Sequence, residues 1–180
     1  MRRGLLLLSS GDHHVASFSS RGFTLFESIV AMAIVAILTA TAVPSFRSYV
    51  INQRAVTLAN ALSTDINRAR SEALRRAGQV VLERAGSDWT QGWTVRDALS
   101  GSDISTQAAL DHAILVNGED ASSIVFDPFG AIAQPSGGST FYLCVGDPGS
   151  HQAGRRVLLS SAGHVEVLKP ESQSAPCDQG

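Results

Sequence analysis

The sequence is short of the features that mark enzymes and cofactor-holding proteins. Its 180 residues contain no Gly-x-Ser-x-Gly elbow, no phosphate-binding loop, no His-Glu-x-x-His and no dinucleotide fingerprint. It has two cysteines, Cys144 and Cys177, and no Cys-x-x-Cys, so a zinc ribbon is excluded. His13 and His14 sit together near the start; His112, His151 and His164 are scattered and read as surface or turn residues. No catalytic residue, metal ligand or cofactor is expected. Basic charge is scarce too: 14 basic residues against 16 acidic give a net −2, which is not the balance of a chain built chiefly to hold nucleic acid.

The sharpest shortage is local. From Gly22 to Phe46 one residue carries a formal charge, Glu27. At ~1.5 Å per residue, such a run spans a bilayer core of ~30 Å as a helix. Between Phe23 and Val43 it holds ten Leu, Ile, Phe or Val residues, worth about 3–6 kcal/mol of insertion free energy at roughly 0.3–0.6 kcal/mol each. An acid inside such a run is costly and points to a protein partner. A cleaved secretory signal fits poorly, because the run is longer than a usual signal core and lacks a small-x-small cleavage site.

Arg21-Gly22-Phe23-Thr24-Leu25-Phe26-Glu27-Ser28 and the apolar run behind it resemble the class III signal of type IV pilins and type II secretion pseudopilins. The resemblance implies that a prepilin peptidase cuts between Gly22 and Phe23 and methylates the new amine of Phe23. Glu27 then becomes the fifth residue of the mature chain, where a neighbouring subunit's N-terminal amine would neutralise it and set register. Pro44 falls where many members carry a helix-bending proline. The leader, residues 1–22, is long for the family and includes a Leu5–Leu8 run; a start site assigned too far upstream is an alternative. Without it the chain has 11 basic and 15 acidic residues, net −4.

Behind Pro44, Ala55, Leu58, Leu62, Ile66, Ala69 and Ala73 mark one helical face, with Asn60, Thr64, Asp65, Arg68, Arg70, Glu72 and Arg75 between them. One helix over 23–77 is expected, bent but not ended at Pro44 and stopped by Gly78. Small residues Ala33, Ala36 and Ala40 allow close helix approach. Seven short strands follow: Gln79–Arg84, Gly92–Arg96, Ala113–Val116, Ser123–Phe126, Thr140–Val145, Arg156–Ser160 and Val165–Lys169. Asp97–Asp111 reads as irregular. The fold class is α+β, a pilin-like lollipop with an antiparallel β-rich head. Its parts are a cleaved leader (1–22), a transmembrane and filament-core helix (23–46), an amphipathic continuation (47–77) and a periplasmic head (78–180).

The helix end Ala69-Arg70-Ser71-Glu72-Ala73, the stretch Asp88-Trp89-Thr90-Gln91-Gly92-Trp93 and the turn Phe126-Asp127-Pro128-Phe129-Gly130 are similar to the GspH/FimT family of minor pilins and minor pseudopilins. Trp89 and Trp93 read as core or platform aromatics, and Arg70 and Glu72 as helix–head junction residues. In an oxidising periplasm the even cysteine pair reads as a disulfide, Cys144 to Cys177. It would close a loop of about 33 residues, worth roughly 3–4 kcal/mol, and such a pair is frequent in FimT/FimU-like minor pilins. Some relatives bind DNA through Gly-Arg-x-Arg; the matching place here is Gly163-His164-Val165-Glu166, which lacks both arginines. Arg155 and Arg156 remain as a possible DNA contact, read more simply as a solvated loop end leading into the strand Arg156–Ser160.

The resemblance implies a structural subunit that helps initiate or cap a type IV pilus. The alternatives are a GspH-like minor pseudopilin of type II secretion and a pilus-associated DNA receptor. Implied partners are the prepilin peptidase, other pilins or pseudopilins, and inner-membrane lipid before assembly. The implied location is the bacterial inner membrane, single-pass with the head in the periplasm, then the pilus or pseudopilus.

Overall fold

A computed structural model describes residues 22–146 and 152–169. The chain divides into two compact units, Met1–Thr41 and Ala42–Gly180. One helix, α1 (Leu25–Arg76), runs through the division and continues past Pro44 without interruption. Its start is capped by Thr24, whose Oγ1 accepts the Glu27 N–H at 3.2 Å, satisfying one of the donors a helix N-terminus leaves open.

In the first unit every residue from Gly22 onward is exposed, large apolar ones included: Leu25 at 82%, Phe26 at 76%, Ile37 at 67%. Hydroxyls there turn back onto the helix. Thr39 donates to Val35 O at 2.7 Å and Thr41 to Leu38 O at 2.9 Å, which satisfies both hydroxyls within the helix itself. By length and apolarity the helix is able to cross a membrane.

In the second unit α1 buries one stripe: Ala55, Ala59, Leu62, Asp65, Ile66, Ala69 and Ala73. Leu58, expected on that face, is only partly buried and packs beside it. The helix ends after Arg76 with the left-handed residue at Ala77 (φ 49°), not at the expected Gly78. Gly78 N–H reaches back to Ala73 O and Ala77 N–H to Leu74 O, the two bonds of a Schellman closure. The glycine follows the turn rather than making it.

Two antiparallel sheets share the core with this stripe. The strands are β1 (Val80–Arg84), β2 (Trp93–Asp97), β3 (Asp103–Gln107), β4 (Ala113–Asn117), β5 (Ser123–Phe126), β6 (Ile132–Gln134), β7 (Gly138–Val145), β8 (Ala153–Ser160) and β9 (Val165–Leu168). The first sheet has order β3-β2-β1-β5-β6 and the second β4-β7-β8-β9. Inward residues alternate as a half-buried strand requires: Val80 and Leu82, Ile124 and Phe126, Phe141 and Leu143, Val157 and Leu159 are buried.

Seven expected strands are present. The stretch 97–111, read as irregular, contains β3, and β6 was not anticipated. β3 is an edge strand with a mostly polar, partly exposed pattern, so its sequence carries little apolar alternation. β6 is three residues long.

Candidate functional site

Gly22 and Phe23 precede the helix, and both are exposed, Phe23 at 81%. Glu27 lies in the first turn of α1, also exposed. A peptidase would find the Gly22–Phe23 bond outside the helix, two residues before Leu25 begins it. Glu27 is thus offered on the surface of a largely apolar helical segment.

Three polar junctions hold the far half of α1 to the sheets. The first is buried. Asp65, 9% exposed, accepts the indole N–H of Trp93 at 2.9 Å and the Ser105 hydroxyl at 2.8 Å, with Arg68 at 3.8 Å. By sequence Asp65 falls among the polar residues between the stripe positions. It is buried because β2 and β3 supply donors for both its oxygens, and a buried carboxylate is tolerated only with such partners. Trp93 (1% exposed) and Trp89 (2%) are core aromatics; Trp89 donates to Ala121 O and stacks edge-on against Phe141 with centroids 4.9 Å apart.

The second junction is at the helix end. Glu72 accepts from Arg75 and from Arg76, the latter at 2.8 Å, and Arg76 reaches Asp97 at 2.9 Å. Asp97 also takes the backbone N–H of Ser100 and Leu99, closing the β2–β3 turn. The hydrogen bond from Arg75 leads in holding the Glu72 carboxyl below its ordinary range. The Ser100 N–H does the same for Asp97.

The third involves glycine. Arg70 Nε donates to Gly130 O at 3.1 Å. Gly163 has φ +77°, and a Cβ there would meet Gly130 O at 2.3 Å and the Arg70 side chain at 3.1 Å. The β5–β6 and β8–β9 turns therefore close on one another under Arg70, joined also by Ile132 N–H to Ser161 O at 2.9 Å. This packing alone demands the glycine at the place that matches Gly-Arg-x-Arg in some relatives.

Arg155 and Arg156 are not a loop end. They lie inside β8, paired with Leu143 and Tyr142 on β7, and Arg156 also with Leu168 on β9. Successive strand residues face opposite sides, so Arg155 shares the inward face of Val157 and Leu159 while Arg156 faces outward. The Arg155 Nη1 bonds Gly154 O at 2.6 Å. The structure does not bring the two guanidiniums to one surface. Cys144 sits in β7, and Cys177, like His151 and the leader through Arg21, lies outside the described residues.

A groove of about 480 Å³ runs beside the β7 and β8 ends, with Glu119, Ser139, His164 and Glu166 among its walls. Glu119 is occupied structurally, accepting the Ser139 hydroxyl at 2.9 Å and the Thr140 N–H at 2.7 Å. Among the described residues no group of three or more His, Cys, Asp or Glu is placed to hold a metal ion.

A long helix, apolar and exposed at its start, with its far half packed on two antiparallel sheets, defines the pilin-like class of fold. The family model for the type II transport protein GspH matches residues 58–163, and that for the prokaryotic N-terminal methylation motif matches 17–43. The chain belongs to the GspH family and is minor pilin- or pseudopilin-like. The type IV minor pilin FimU of Pseudomonas aeruginosa is similar in fold, with a TM-score of 0.56 at 21% identity over 67% of this chain and 95% of that one. The minor pseudopilin EpsH of the Vibrio cholerae type 2 secretion system has a TM-score of 0.51 at 15% identity over 66% and 98%. No curated protein matches in sequence.

Proposed function

We propose that the chain is a minor pilin, a structural subunit that helps initiate or cap assembly of a type IV pilus. The observation that carries the reading is the pairing of a methylation-type signal with an all-round apolar, fully exposed helical segment. A segment of that kind needs lipid or other helices around it. The proposed sequence of events starts with a prepilin peptidase cutting between Gly22 and Phe23 and methylating Phe23. The segment 23–46 anchors the chain in the inner membrane, Arg21 on the cytoplasmic side as the positive-inside tendency favours. The segment then leaves the lipid for a helical bundle, where Glu27 pairs with a neighbour's amine and Pro44 adjusts the helix. The continuation 47–77 and head 78–180 face the periplasm and meet other minor subunits.

A GspH-like minor pseudopilin of type II secretion is the second reading, favoured by the family match. The cysteine pair favours the pilus. DNA reception draws no support from the opposed faces of Arg155 and Arg156 on β8, both half-buried, since a single outward arginine neutralises at most one phosphate.

A clean gene deletion separates these readings. Loss of surface pili and twitching is the expected result. Loss of exoprotein secretion alone would move the chain to the pseudopilus, and loss of DNA uptake with pili intact would revive the receptor.

A further inference from the structure

Two connections leave the first sheet at the end where α1 stops. Val80, at the start of β1, pairs with Asp97, the last residue of β2, and with Phe126, the last residue of β5. The β2–β3 and β5–β6 turns therefore project beside the helix end. The two turns are built alike. Asp127 Oδ1 accepts the Phe129 and Ala131 N–H groups, both at 2.9 Å. Asp97 Oδ1 accepts the Leu99 N–H at 2.9 Å and the Ser100 N–H at 2.7 Å. Each carboxylate holds the backbone two residues on, as an Asx turn does, and each turn holds up a large apolar side chain. Phe129 is 84% exposed and Leu99 is 99% exposed, whereas Phe126, three residues before Phe129, is fully buried. Leu74, half exposed, stands beside the β5–β6 turn, where a Cβ on Gly130 would meet its Cγ at 3.1 Å. Arg70 braces the same turn through Gly130 O. Among the described residues it forms no ion pair.

Single apolar side chains on a surface are ordinary. Here three share one end of the head, two of them at the tips of turns braced by carboxylates. We propose that this end docks on the head of another subunit held in the same helical bundle. Phe129 and Leu99 enter an apolar socket there, and a carboxylate on its rim faces Arg70. The inference rests on the pilin-like reading of the chain. Area selects the occupant. Phe129, Leu99 and Leu74 together offer on the order of 400 Å², about half of the ~800 Å² per partner that a stable complex of free proteins buries. So small a contact holds between partners that are already tethered, for which docking is in effect intramolecular. On the pilin-like reading the segment 23–46 supplies that tether. Charge selects the chemistry of the socket. Glu72, Arg75, Arg76 and Asp97 at the helix end satisfy one another, which leaves Arg70 as the cation to meet an acid. The braced turns have little backbone freedom to lose on docking, and aromatic residues and arginine are the types enriched where proteins meet.

The test uses the full chain in its own cells. A photo-crosslinking side chain is placed in turn at Phe129, at Leu99 and at Leu38, and the adducts are mapped by mass spectrometry of the linked peptides. The expected result is adducts from Phe129 and Leu99 to the head of a second subunit that itself carries an N-methylated N-terminus. Phe129→Ser combined with Leu99→Ser should lower the amount of chain in sheared filaments several-fold. The melting temperature of the head should stay unchanged, because both side chains are exposed. Adducts from Leu38 to another subunit's helix with none from Phe129 and Leu99 overturn the proposal and leave the pilin reading standing. Wild-type recovery of the double variant in filaments does the same. Adducts from Phe129 and Leu99 to lipid, or to a protein without a methylated N-terminus, also overturn it. Absence of subunit adducts from all three positions defeats the pilin reading and the proposal with it.

Discussion

The two stretches of α1 are made from similar residues and behave differently. Between Leu25 and Thr41, Leu, Ile, Val and Phe point to every side and all are exposed. Between Ala55 and Ala73 one stripe, Ala55, Ala59, Leu62, Ile66, Ala69 and Ala73, is buried within the chain itself, with Leu58 partly buried beside it. The second stretch completes its own environment; the first needs one supplied from outside. On the proposed reading, lipid supplies it before assembly and other helices afterwards. The difference teaches that this helix is two physical objects in one hydrogen-bonded element, one folding with the head and one that needs partners.

The comparison can be broken most severely at Glu27. Glu27→Ala should abolish pilus assembly while leaving the melting temperature of the head unchanged; piliation counts and calorimetry on the same protein check both halves. Next come the buried positions. Leu62→Ala should cost about 2–5 kcal/mol, whereas Leu38→Ala, at a site 61% exposed, should leave unfolding in denaturant unchanged. Asp65→Ala strands the Trp93 and Ser105 donors and should cost about 1–3 kcal/mol.

Acid sharpens the same contrast. Glu72 and Asp97 titrate below their ordinary values in the folded chain. Their contribution is therefore present above the unfolded carboxylate range and is lost as pH falls through the lower, folded values. Melting temperature should drop on that descent, and Arg76→Gln should flatten the dependence, because Arg76 bonds both acids. The smallest effect is expected at Ala77. A left-handed non-glycine residue costs about 1–2 kcal/mol, partly offset by glycine's greater unfolded-state entropy of about 0.5–1 kcal/mol. Ala77→Gly should thus raise stability slightly, read as a small shift in denaturant midpoint.

Much of the fold was legible in the sequence where one strong local signal acts. The glycine–phenylalanine–glutamate spacing, the apolar run and the 3.6-residue stripe each depend on nearby residues alone, and seven strands had turn chemistry at their ends. What was illegible depends on partners far away in sequence. Asp65 is inward because Trp93 and Ser105, 28 and 40 residues later, meet it. β3 exists because β2 offers it an edge. Gly163 is required by Gly130 and Arg70 on two other elements. Arg155 and Arg156 look like a pair in one dimension and are separated by the pleat of β8. The left-handed Ala77 was hidden by the more obvious Gly78.

The central claim is that the exposed apolar stretch begins at Phe23 and serves assembly. Mass spectrometry of the N-terminal peptide, taken from the membrane-bound chain and from sheared surface filaments, tests it most directly. Cleavage after Gly22 predicts a peptide starting at N-methylated Phe23 in both fractions. A mature chain that starts anywhere else, or that keeps residues 1–22, would contradict it.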